Sequence, residues 1–486
     1  MKWLCLAVAF VALQASAFSL DREAFTFTSY NLNVRIEPEQ QRLEVRGEIT
    51  ARNDSSSPQK NLTLQISSSL GWRSIQISGK PVEFVSQPYR SDIDHTGALS
   101  EAIVSLPQAV PPNGEVEVNV GYEGTIVLDT TRLERVGVPK ELAKRSDWDE
   151  IGNSFTAVRG VGYVTWYPVA MESADLSAGD SVAETLGRWK ARHTRSRMFV
   201  NFECPAEEKL FFSGVESPLK AMSRDSNDTA KYSAFEVHWF GINVPTFVIA
   251  NYQSDSAEET TSVEYLPGSE RAARLYLDSM PKLQSILPAE KSSETLRVLE
   301  LPDPNGASFV TDGMLLTALK TTITPQASLT LVYALARDSV ASPRAWIQEG
   351  LAHYAQVLYI EQQQGRQAAL DYLNMHRAIF VDAENSRASN SPGPSASNRE
   401  AAQSLINATD NVYLQTKAMN VWWMLRDMLG GVNNALLGYK ASEDKDPSYM
   451  QHLLEKNSHK DLEWFFDDWV YRDHGLPDFR VESVYP

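Results

Sequence analysis

Cysteine is nearly absent from this sequence of 486 residues. Cys5 lies in an N-terminal apolar segment that we expect to be removed, which leaves Cys204 as the one cysteine of the mature chain. An intrachain disulfide is therefore excluded, and a single thiol without a nearby histidine or basic run is more typical of a buried residue than of a nucleophile. The sequence also lacks a Walker loop, a dinucleotide fingerprint and a C-x-x-C pair, so these nucleotide-binding and redox motifs are missing.

A membrane span is missing as well. The N-terminal apolar run Trp3–Leu13 is shorter than the ~20 residues that a spanning helix needs. Lys2 precedes the run, and Ala15-Ser16-Ala17 forms an A-x-A cleavage site, which together are the pattern of a secretory signal peptide. We therefore predict that residues 1–17 are a signal peptide and that the mature protein is exported, to the periplasm or to the extracellular space.

The sequence has fewer basic than acidic residues. The chain has 45 lysine and arginine residues against 62 aspartate and glutamate residues, a formal net charge of −17 at pH 7. This balance disfavours nucleic acid and anionic membranes as partners, while a basic or polyanionic ligand stays open. The hydrophobic and charged fractions, 43% and 22%, are ordinary for a soluble globular protein. A chain of this length exceeds a single core, so two or three domains are expected.

The two halves of the sequence differ in their hydrophobic periodicity. In the first half polar and apolar residues alternate, as in Tyr30–Ile36 and Arg42–Ile49, which predicts a hairpin with one face in water. We assign residues 18–251 to an N-terminal β-sandwich domain and residues 260–486 to a second domain with helical periodicity. The predicted helices are Glu270–Met280 (closed by Pro281), Pro325–Asp338, Trp346–Gln364 and Tyr413–Gly430, with a loop at Arg387–Ser397.

One segment of the second domain carries a specific motif. Trp346-Ile347-Gln348-Glu349-Gly350 has the pattern W-x-x-E-G and resembles the third-ligand segment of the aminopeptidase N-like gluzincin family of zinc peptidases. In that family two histidines of an upstream H-E-x-x-H helix bind zinc, and the glutamate between them is the general base. None of the eight histidines of this chain stands three or four residues from another, so the histidine pair is missing.

Two alignments of the missing zinc helix are open. The family's usual spacing, counted back from Glu349, falls on Gln326–Thr330, but Pro325 would then place Gln326 in the first helical turn. The second alignment has a shorter connecting loop. It puts Tyr333 and Arg337 at the two histidine positions and Ala334 at the general-base position, and we favour it because its flanks are more apolar.

None of the three residues in the favoured alignment can perform the original role. A guanidinium has no lone pair to offer a metal and stays protonated, so we expect no metal at this position. We predict instead that Arg337 replaces zinc as the counter-charge of Glu349 in a direct ion pair, with Tyr333 pointing into the same cavity. The alternative is that Tyr333 and Arg337 form an ordinary polar stripe on a packed helix and that Glu349 lies at the surface, in which case the side chains do not meet.

Two further positions deviate from the family pattern. Tyr413-Leu414-Gln415-Thr416-Lys417 is similar to the family's Y-x-K-G helix, whose tyrosine stabilises the oxyanion. The matching position is Gln415, with Tyr413 one turn earlier as the alternative. Gly306-Ala307-Ser308-Phe309 is similar to the family's G-A-M-E-N strand, but Phe309 stands where a glutamate holds the substrate's amino group. The other candidate strand, Asp312–Leu316, has leucine at that position.

The resemblance extends over nearly the whole mature chain and implies both a fold and a function. The implied fold is a multidomain β then α+β architecture, with an N-terminal β-sandwich followed by a thermolysin-like α/β-plus-helical domain. The implied function is that of a secreted, catalytically inactive homologue that needs no cofactor. Its former active-site cleft would bind a peptide or a protein through Gly306, Ala307, Tyr333, Arg337 and Glu349.

The rival hypothesis is an active enzyme. It would be a zinc-dependent aminopeptidase or other peptidase with rearranged metal ligands, in which Glu349 is joined by His353 and Glu361. Glu349 and His353 stand four residues apart on one helix, which is the spacing of a two-ligand half-site. The same spacing is also that of an ordinary pair on a helix surface.

Overall fold

The computed structural model describes residues 20–178, 181–205, 207–217, 230–237, 240–257, 261–287, 296–390 and 404–472. The predicted signal peptide, residues 1–17, lies outside the described residues. In the described part of the chain, no helix combines the length and the apolar composition that crossing a membrane requires.

The N-terminal domain consists mainly of β-strands. Its strands are β1 (Phe25–Glu37), β2 (Arg42–Asn53), β3 (Gln59–Ser67), β4 (Leu70–Ile77), β5 (Lys80–Pro81), β6 (Phe84–Arg90), β7 (Ala98–Val110), β8 (Glu115–Thr125), β9 (Glu150–Ile151), β10 (Phe155–Val158), β11 (Arg197–Pro205), β12 (Lys209–Phe212), β13 (Val215–Glu216), β14 (Ala230–Val237) and β15 (Phe247–Ala250). Its helices are α1 (Thr131–Arg135), α2 (Lys140–Ser146) and α3 (Ser181–His193), with 3₁₀ turns at Pro38–Gln40 and Leu176–Ala178.

Three sheets build this domain. The largest has eight strands in the order β13-β14-β11-β1-β2-β8-β4-β5, and the others have the orders β3-β7-β6 and β12-β15-β10-β9. Alternating residues of β1 are buried, including Tyr30, Leu32 and Val34, and they share one apolar core with Leu64 of β3 and Val104 of β7. Because a strand turns successive side chains to opposite faces, the period-two pattern of the sequence places this core between two sheets, as predicted.

The second domain contains one sheet and a set of helices. Its strands are β16 (Gln253–Ala257), β17 (Thr261–Tyr265), β18 (Leu296–Glu300), β19 (Phe309–Thr311) and β20 (Met314–Thr317). Its helices are α4 (Glu270–Gln284), α5 (Pro325–Ser339), α6 (Ala345–Gln364), α7 (Arg366–Asn390), α8 (Asn411–Leu429), α9 (Tyr449–Ser458) and α10 (Glu463–Phe466), the last followed by a π-helical turn Asp467–Tyr471.

The sheet of the second domain has the order β16-β17-β18-β20-β19. The three central strands are parallel, and both edge strands are antiparallel to their neighbours. Strand β16 lies in the stretch 252–259 that the sequence left between the two predicted domains, and its pairing with β17 assigns it to the second. The predicted architecture of a β-sandwich followed by an α/β-plus-helical domain is confirmed.

Two local predictions in the second domain were wrong. Helix α4 continues through Pro281 to Gln284; the proline costs one hydrogen bond and crowds the carbonyl one turn earlier, and the helix ends within one turn after it. Residues 387–390 of the predicted loop belong to the end of α7, and the rest of that loop, residues 391–397, lies outside the described residues.

A close helix contact fixes the two helices that carry the gluzincin-like motif positions. Gly350 of α6 faces α8 so closely that a Cβ atom at this position would lie 2.7 Å from Ala418 Cβ and 2.8 Å from a ring carbon of Trp422. One turn earlier on α6, Trp346 stacks on Trp422 with ring centroids 5.5 Å apart. The glycine of W-x-x-E-G is thus required for the close packing of α6 against α8. This packing fixes the position of the adjacent Glu349 relative to α8.

Candidate active-site cleft

A cleft of about 970 Å³ lies between the two domains. The N-terminal domain contributes α3 and the loop that includes Ile242. The second domain contributes α5, α6, the start of α8, and Ser308 with the start of β19. Gly187 of α3 packs against the backbone of Thr409, where a Cβ atom would overlap the Thr409 carbonyl at 1.6 Å. This contact joins the two domains directly at the wall of the cleft.

Helix α5 presents one stripe of polar side chains to the cleft. The stripe consists of Gln326, Thr330, Tyr333 and Arg337, whose spacing of four, three and four residues follows the helical period. The helix begins with Thr324, whose side chain accepts a hydrogen bond from the backbone N–H of Ala327, and Pro325 occupies its first turn. These start signals set the phase of α5 and hence which residues face the cleft.

Three of the motif residues meet at the centre of the cleft. Arg337 Nε donates to Glu349 Oε1 at 2.9 Å, and the hydroxyl of Tyr333 donates to Glu349 Oε2 at 2.5 Å. Arg337 Nη2 also donates across the domain boundary, to Asn243 Oδ1 at 3.0 Å and to the carbonyl of Ile242 at 3.4 Å. The guanidinium therefore neutralises Glu349 and ties the second domain to the first.

These contacts distinguish the two alignments. The predicted Arg337–Glu349 ion pair is present, and Tyr333 points at the same carboxylate. Gln326 and Thr330 also line the cleft, but among the described residues neither hydrogen-bonds to Glu349, and the Thr330 hydroxyl instead donates to the Gln326 carbonyl. The alternative of a polar stripe whose side chains do not meet is wrong.

The charges of this cluster are mutually stabilised. Burial alone would raise the pKa of Glu349, but the positive charge of Arg337 and the Tyr333 hydrogen bond lower it below its ordinary value. Burial would lower the pKa of Arg337, and Glu349 reverses this effect, so that the guanidinium pKa rises. Burial and the neighbouring carboxylate raise the pKa of Tyr333 well above its usual range. The cluster therefore consists of one anion, one cation and one neutral phenol over the physiological pH range.

This arrangement does not fit a zinc ion. Both carboxylate oxygens of Glu349 already accept hydrogen bonds, and the groups at the two histidine positions are a phenol of raised pKa and a guanidinium, which offers no lone pair. No three His, Cys, Asp or Glu side chains come together as a potential metal site within the described ranges. The place where the sequence motif would put a metal therefore holds an internal ion pair of Arg337 and Glu349.

The ligands of the rival hypothesis are not brought together. His353 lines the cleft near Tyr333, with ring centroids 5.0 Å apart, and its Nδ1 lies 3.0 Å from Gln356 Oε1. Burial lowers the pKa of His353. Glu361, however, is paired with Arg426 and Arg366 and does not line the cleft. Glu349 and His353 are left without a third ligand from this set.

Ala334, which the favoured alignment puts at the general-base position, has no group that could accept a proton. It is fully buried in the apolar core of the second domain and does not line the cleft. A larger polar side chain at this position would have to enter that core.

The residues predicted for the oxyanion and amine positions lie in different surroundings. Gln415 lines the cleft, whereas Tyr413 lies in the core and accepts a hydrogen bond from Lys417 Nζ at 2.7 Å. Gly306 and Ala307 do not line the cleft. The Ala307 carbonyl accepts a hydrogen bond from Trp148 Nε1 and its N–H donates to the Arg145 carbonyl, so it contributes to the domain contact. Phe309, at the glutamate position, does line the cleft.

Several cleft residues could not be identified from the sequence. Lys190 and Arg195, at the end of α3 and just after it, line the cleft from the N-terminal domain. On the opposite side Arg344 Nε donates to Asp444 Oδ1 at 2.6 Å, and both residues line the cleft. No sequence pattern marks these residues, because about 150 residues separate Lys190 from the family-like motif and only the tertiary fold brings them together.

Comparisons with known proteins agree with this architecture. No protein-family model matches the sequence, and no curated protein matches it. Among solved structures, a mutant of an M1 zinc metallopeptidase from Deinococcus radiodurans is similar over 94% of this chain and 96% of its own, with a TM-score of 0.51 and 15% sequence identity.

Two further solved structures are similar. The same metallopeptidase mutant bound to a Tyr-Ser-Ala substrate gives identical figures of 94% and 96% coverage, a TM-score of 0.51 and 15% identity. Yeast LTA4 hydrolase in complex with bestatin is similar over 96% of this chain and 72% of its own, with a TM-score of 0.50 and 12% identity. The chain therefore has the fold of the M1 zinc metallopeptidases.

Proposed function

We propose that this protein is an exported, peptidase-like binding protein that holds a peptide or a protein segment in its cleft without hydrolysing it. One observation carries the proposal: Arg337 and Tyr333 occupy both oxygens of the carboxylate that would be the third zinc ligand. The signal-peptide pattern of residues 1–17 supports export. The Tyr-Ser-Ala substrate bound by the similar metallopeptidase supports a peptide as the kind of ligand.

Peptide hydrolysis by this fold requires an activated water and a group that takes its proton. In this cleft the residues at the positions assigned to these two roles have other chemical groups. A cation is already bonded to Glu349, the base position is a buried alanine, and Phe309 stands at the amine-binding position. The cleft itself remains open, with about 970 Å³ of space, which is within the range of small-molecule and peptide sites. Binding without turnover is the activity that these groups support.

The test combines metal content and turnover. The purified mature protein is expected to contain well under one zinc per chain by elemental mass spectrometry, before and after dialysis against zinc. It should release no amino acid from aminoacyl-aminocoumarin substrates, with or without added zinc. Turnover that a chelator abolishes, together with about one zinc per chain, would reject this proposal in favour of the zinc-dependent aminopeptidase.

A restored variant provides the positive control. Tyr333→His and Arg337→His together place two imidazoles beside Glu349, whereas Ala334 lies in the core and is left unchanged. The double variant is expected to bind about one zinc per chain. Each single variant should bind none, because Tyr333→His keeps the Arg337 cation and Arg337→His adds only one imidazole. Stoichiometric zinc in a single variant would contradict the assignment of these residues to the zinc positions.

A further inference from the structure

The charge of the cleft is opposite to the charge of the chain. The protein carries a formal charge of −17, yet its cleft is lined by four cations, Lys190, Arg195, Arg337 and Arg344, and by only two carboxylates, Glu349 and Asp444. Each carboxylate already has a partner, because Glu349 is paired with Arg337 and Asp444 with Arg344. Two positive charges, those of Lys190 and Arg195, are left in excess.

Lys190 is the more enclosed of the two. It lies half-buried at the end of α3, and its ammonium has no hydrogen bond or ion pair with any other described residue. Its charge lies close enough to Glu349 and Arg337 to be influenced by both. Burial lowers the pKa of Lys190, with Glu349 opposing this effect. An additional anion beside Lys190 would offset the cost of its burial.

The position of Lys190 is fixed by close backbone packing. Gly241 lies against the last turn of α3, where a Cβ atom would meet the Lys190 carbonyl oxygen at 2.0 Å. One turn earlier, Gly187 packs against Thr409 of the second domain. The backbone that carries this lysine is therefore held against both domains, and Lys190 lines the cleft from it.

The same cleft has little to offer a free amino group. A ligand amine needs a carboxylate or another acceptor of negative charge, and both carboxylates of the cleft are engaged in ion pairs at 2.9 Å and 2.6 Å. Phe309, an apolar ring, also lines the cleft. A ligand carboxylate, in contrast, finds two cations in excess, and a charge-assisted hydrogen bond to it is among the stronger polar contacts.

We propose that the cleft recognises a carboxylate of its ligand, with Lys190 as the main contact and Arg195 as a second, outer contact. This inference rests on the proposed function and specifies its ligand. The carboxylate is that of a peptide's C-terminus or that of an acidic side chain, and the fold would then hold a peptide by a negatively charged group rather than by its free amine.

Binding of defined peptide pools tests this inference. Three pools of N-acetylated tetrapeptides share uncharged, randomised first and second positions. The first pool ends with a free C-terminal carboxylate, the second ends with an amide, and the third ends with an amide but has glutamate at the third position. Equilibrium dialysis against the mature protein, with a chelator present and mass spectrometry as readout, gives the retained fraction of each pool.

The first or the third pool should be retained roughly tenfold more than the neutral amide pool, the effect expected of one charge-assisted hydrogen bond. Which of the two is retained identifies a C-terminal or a side-chain carboxylate. Lys190→Met should reduce the ratio to about twofold or less, since the remaining Arg195 is exposed and exposed ion pairs contribute little. Lys190→Arg should keep the preference.

Lys440→Met is the matched control, because it removes the same charge from an exposed ion pair with Glu443 outside the cleft, and it should leave the ratio unchanged. Equal retention of all three pools, no retention of any pool, or a full preference in Lys190→Met would overturn the inference. These results would not affect the non-catalytic assignment. Zinc-dependent turnover would reject that assignment without changing the pool ratios.

Discussion

Replacing Arg337 by methionine tests the central ion pair of the cleft. Methionine keeps much of the length and the apolar stem of arginine but removes the charge and the donors. Glu349 would then be left with one hydrogen bond, from Tyr333, and without its counter-charge. Asn243 would also lose the Arg337 contact across the domain boundary.

The expected cost follows from the burial of the pair. The Arg337 and Glu349 side chains are only 6% and 14% exposed, so solvent screens them little. At an effective dielectric of about 20, unit charges ~4 Å apart interact by about 4 kcal/mol. Removing one partner of a buried pair typically costs about 3–5 kcal/mol. For a domain of this size such a loss lowers the melting temperature by roughly 6–20 °C.

The assay is a double-mutant cycle measured by urea unfolding at pH 7. Arg337→Met and Glu349→Gln each leave one buried charge unpaired, while the double variant removes both charges. The double variant should therefore lose less stability than the sum of the two single variants, with a coupling of at least about 2 kcal/mol. Arg366→Met is the control, because this arginine is 56% exposed, and its loss should cost at most about 1 kcal/mol.

Additivity of the two single variants to within about 0.5 kcal/mol would refute this reasoning. It would mean that Arg337 and Glu349 contribute independently of each other, and that the guanidinium does not act as the counter-charge that replaces zinc. A loss in Arg366→Met as large as that in Arg337→Met would likewise show that burial of the pair is not the cause.

Three further predictions concern the fold and the processing of the chain. Burial lowers the pKa of His193 to about 3. The neutral histidine therefore contributes stability above the unfolded-state pKa near 6.5, and this contribution is lost as the pH falls toward 3, at up to ~1.4 kcal/mol per pH unit. His193→Gln should make the free energy of unfolding in urea depend less on pH between pH 6 and pH 4, and an unchanged pH dependence would contradict the assignment. Gly187→Ala places a Cβ atom 1.6 Å from the Thr409 carbonyl and should lower the melting temperature by several degrees, whereas Gly71→Ala, with its nearest atom at 3.9 Å, should be far milder. N-terminal sequencing of the secreted protein should begin at Phe18, and a mature chain that still contains residues 1–17 would rule out cleavage at Ala17.

The sequence predicted the helix pair of the cleft because the relevant signals are local. Thr324 and Pro325 mark the start of α5, apolar residues recur at the helical period, and a short loop leads to Trp346 of α6. Two helices that are joined by a short loop pack against each other. The opposite charges of Arg337 on α5 and Glu349 on α6 were therefore enough to predict that these side chains meet.

The walls of the cleft could not be predicted in this way. The helix α3, Ser181–His193, carries no motif, and its role depends on contacts with Gly241 and Thr409 far along the chain. Lys190 belongs to no motif, and only the three-dimensional structure shows that it is half-buried and has no partner among the described residues. Tyr413 and Ala307 were assigned from family positions, but their surroundings, a core and a domain contact, are set by packing.

The ion pair of the cleft also restricts how this protein can change in evolution. A single substitution of Arg337 by histidine would lower the stability of the protein before any metal could bind, because Glu349 would be left without its counter-charge. A histidine at position 333 alone would gain no metal either, since Arg337 would still repel a cation. A zinc site at this position therefore requires several changes that are harmful or useless one at a time. The Arg337–Glu349 pair opposes the stepwise gain of a metal, and sequence divergence is expected at the walls of the cleft rather than at its centre.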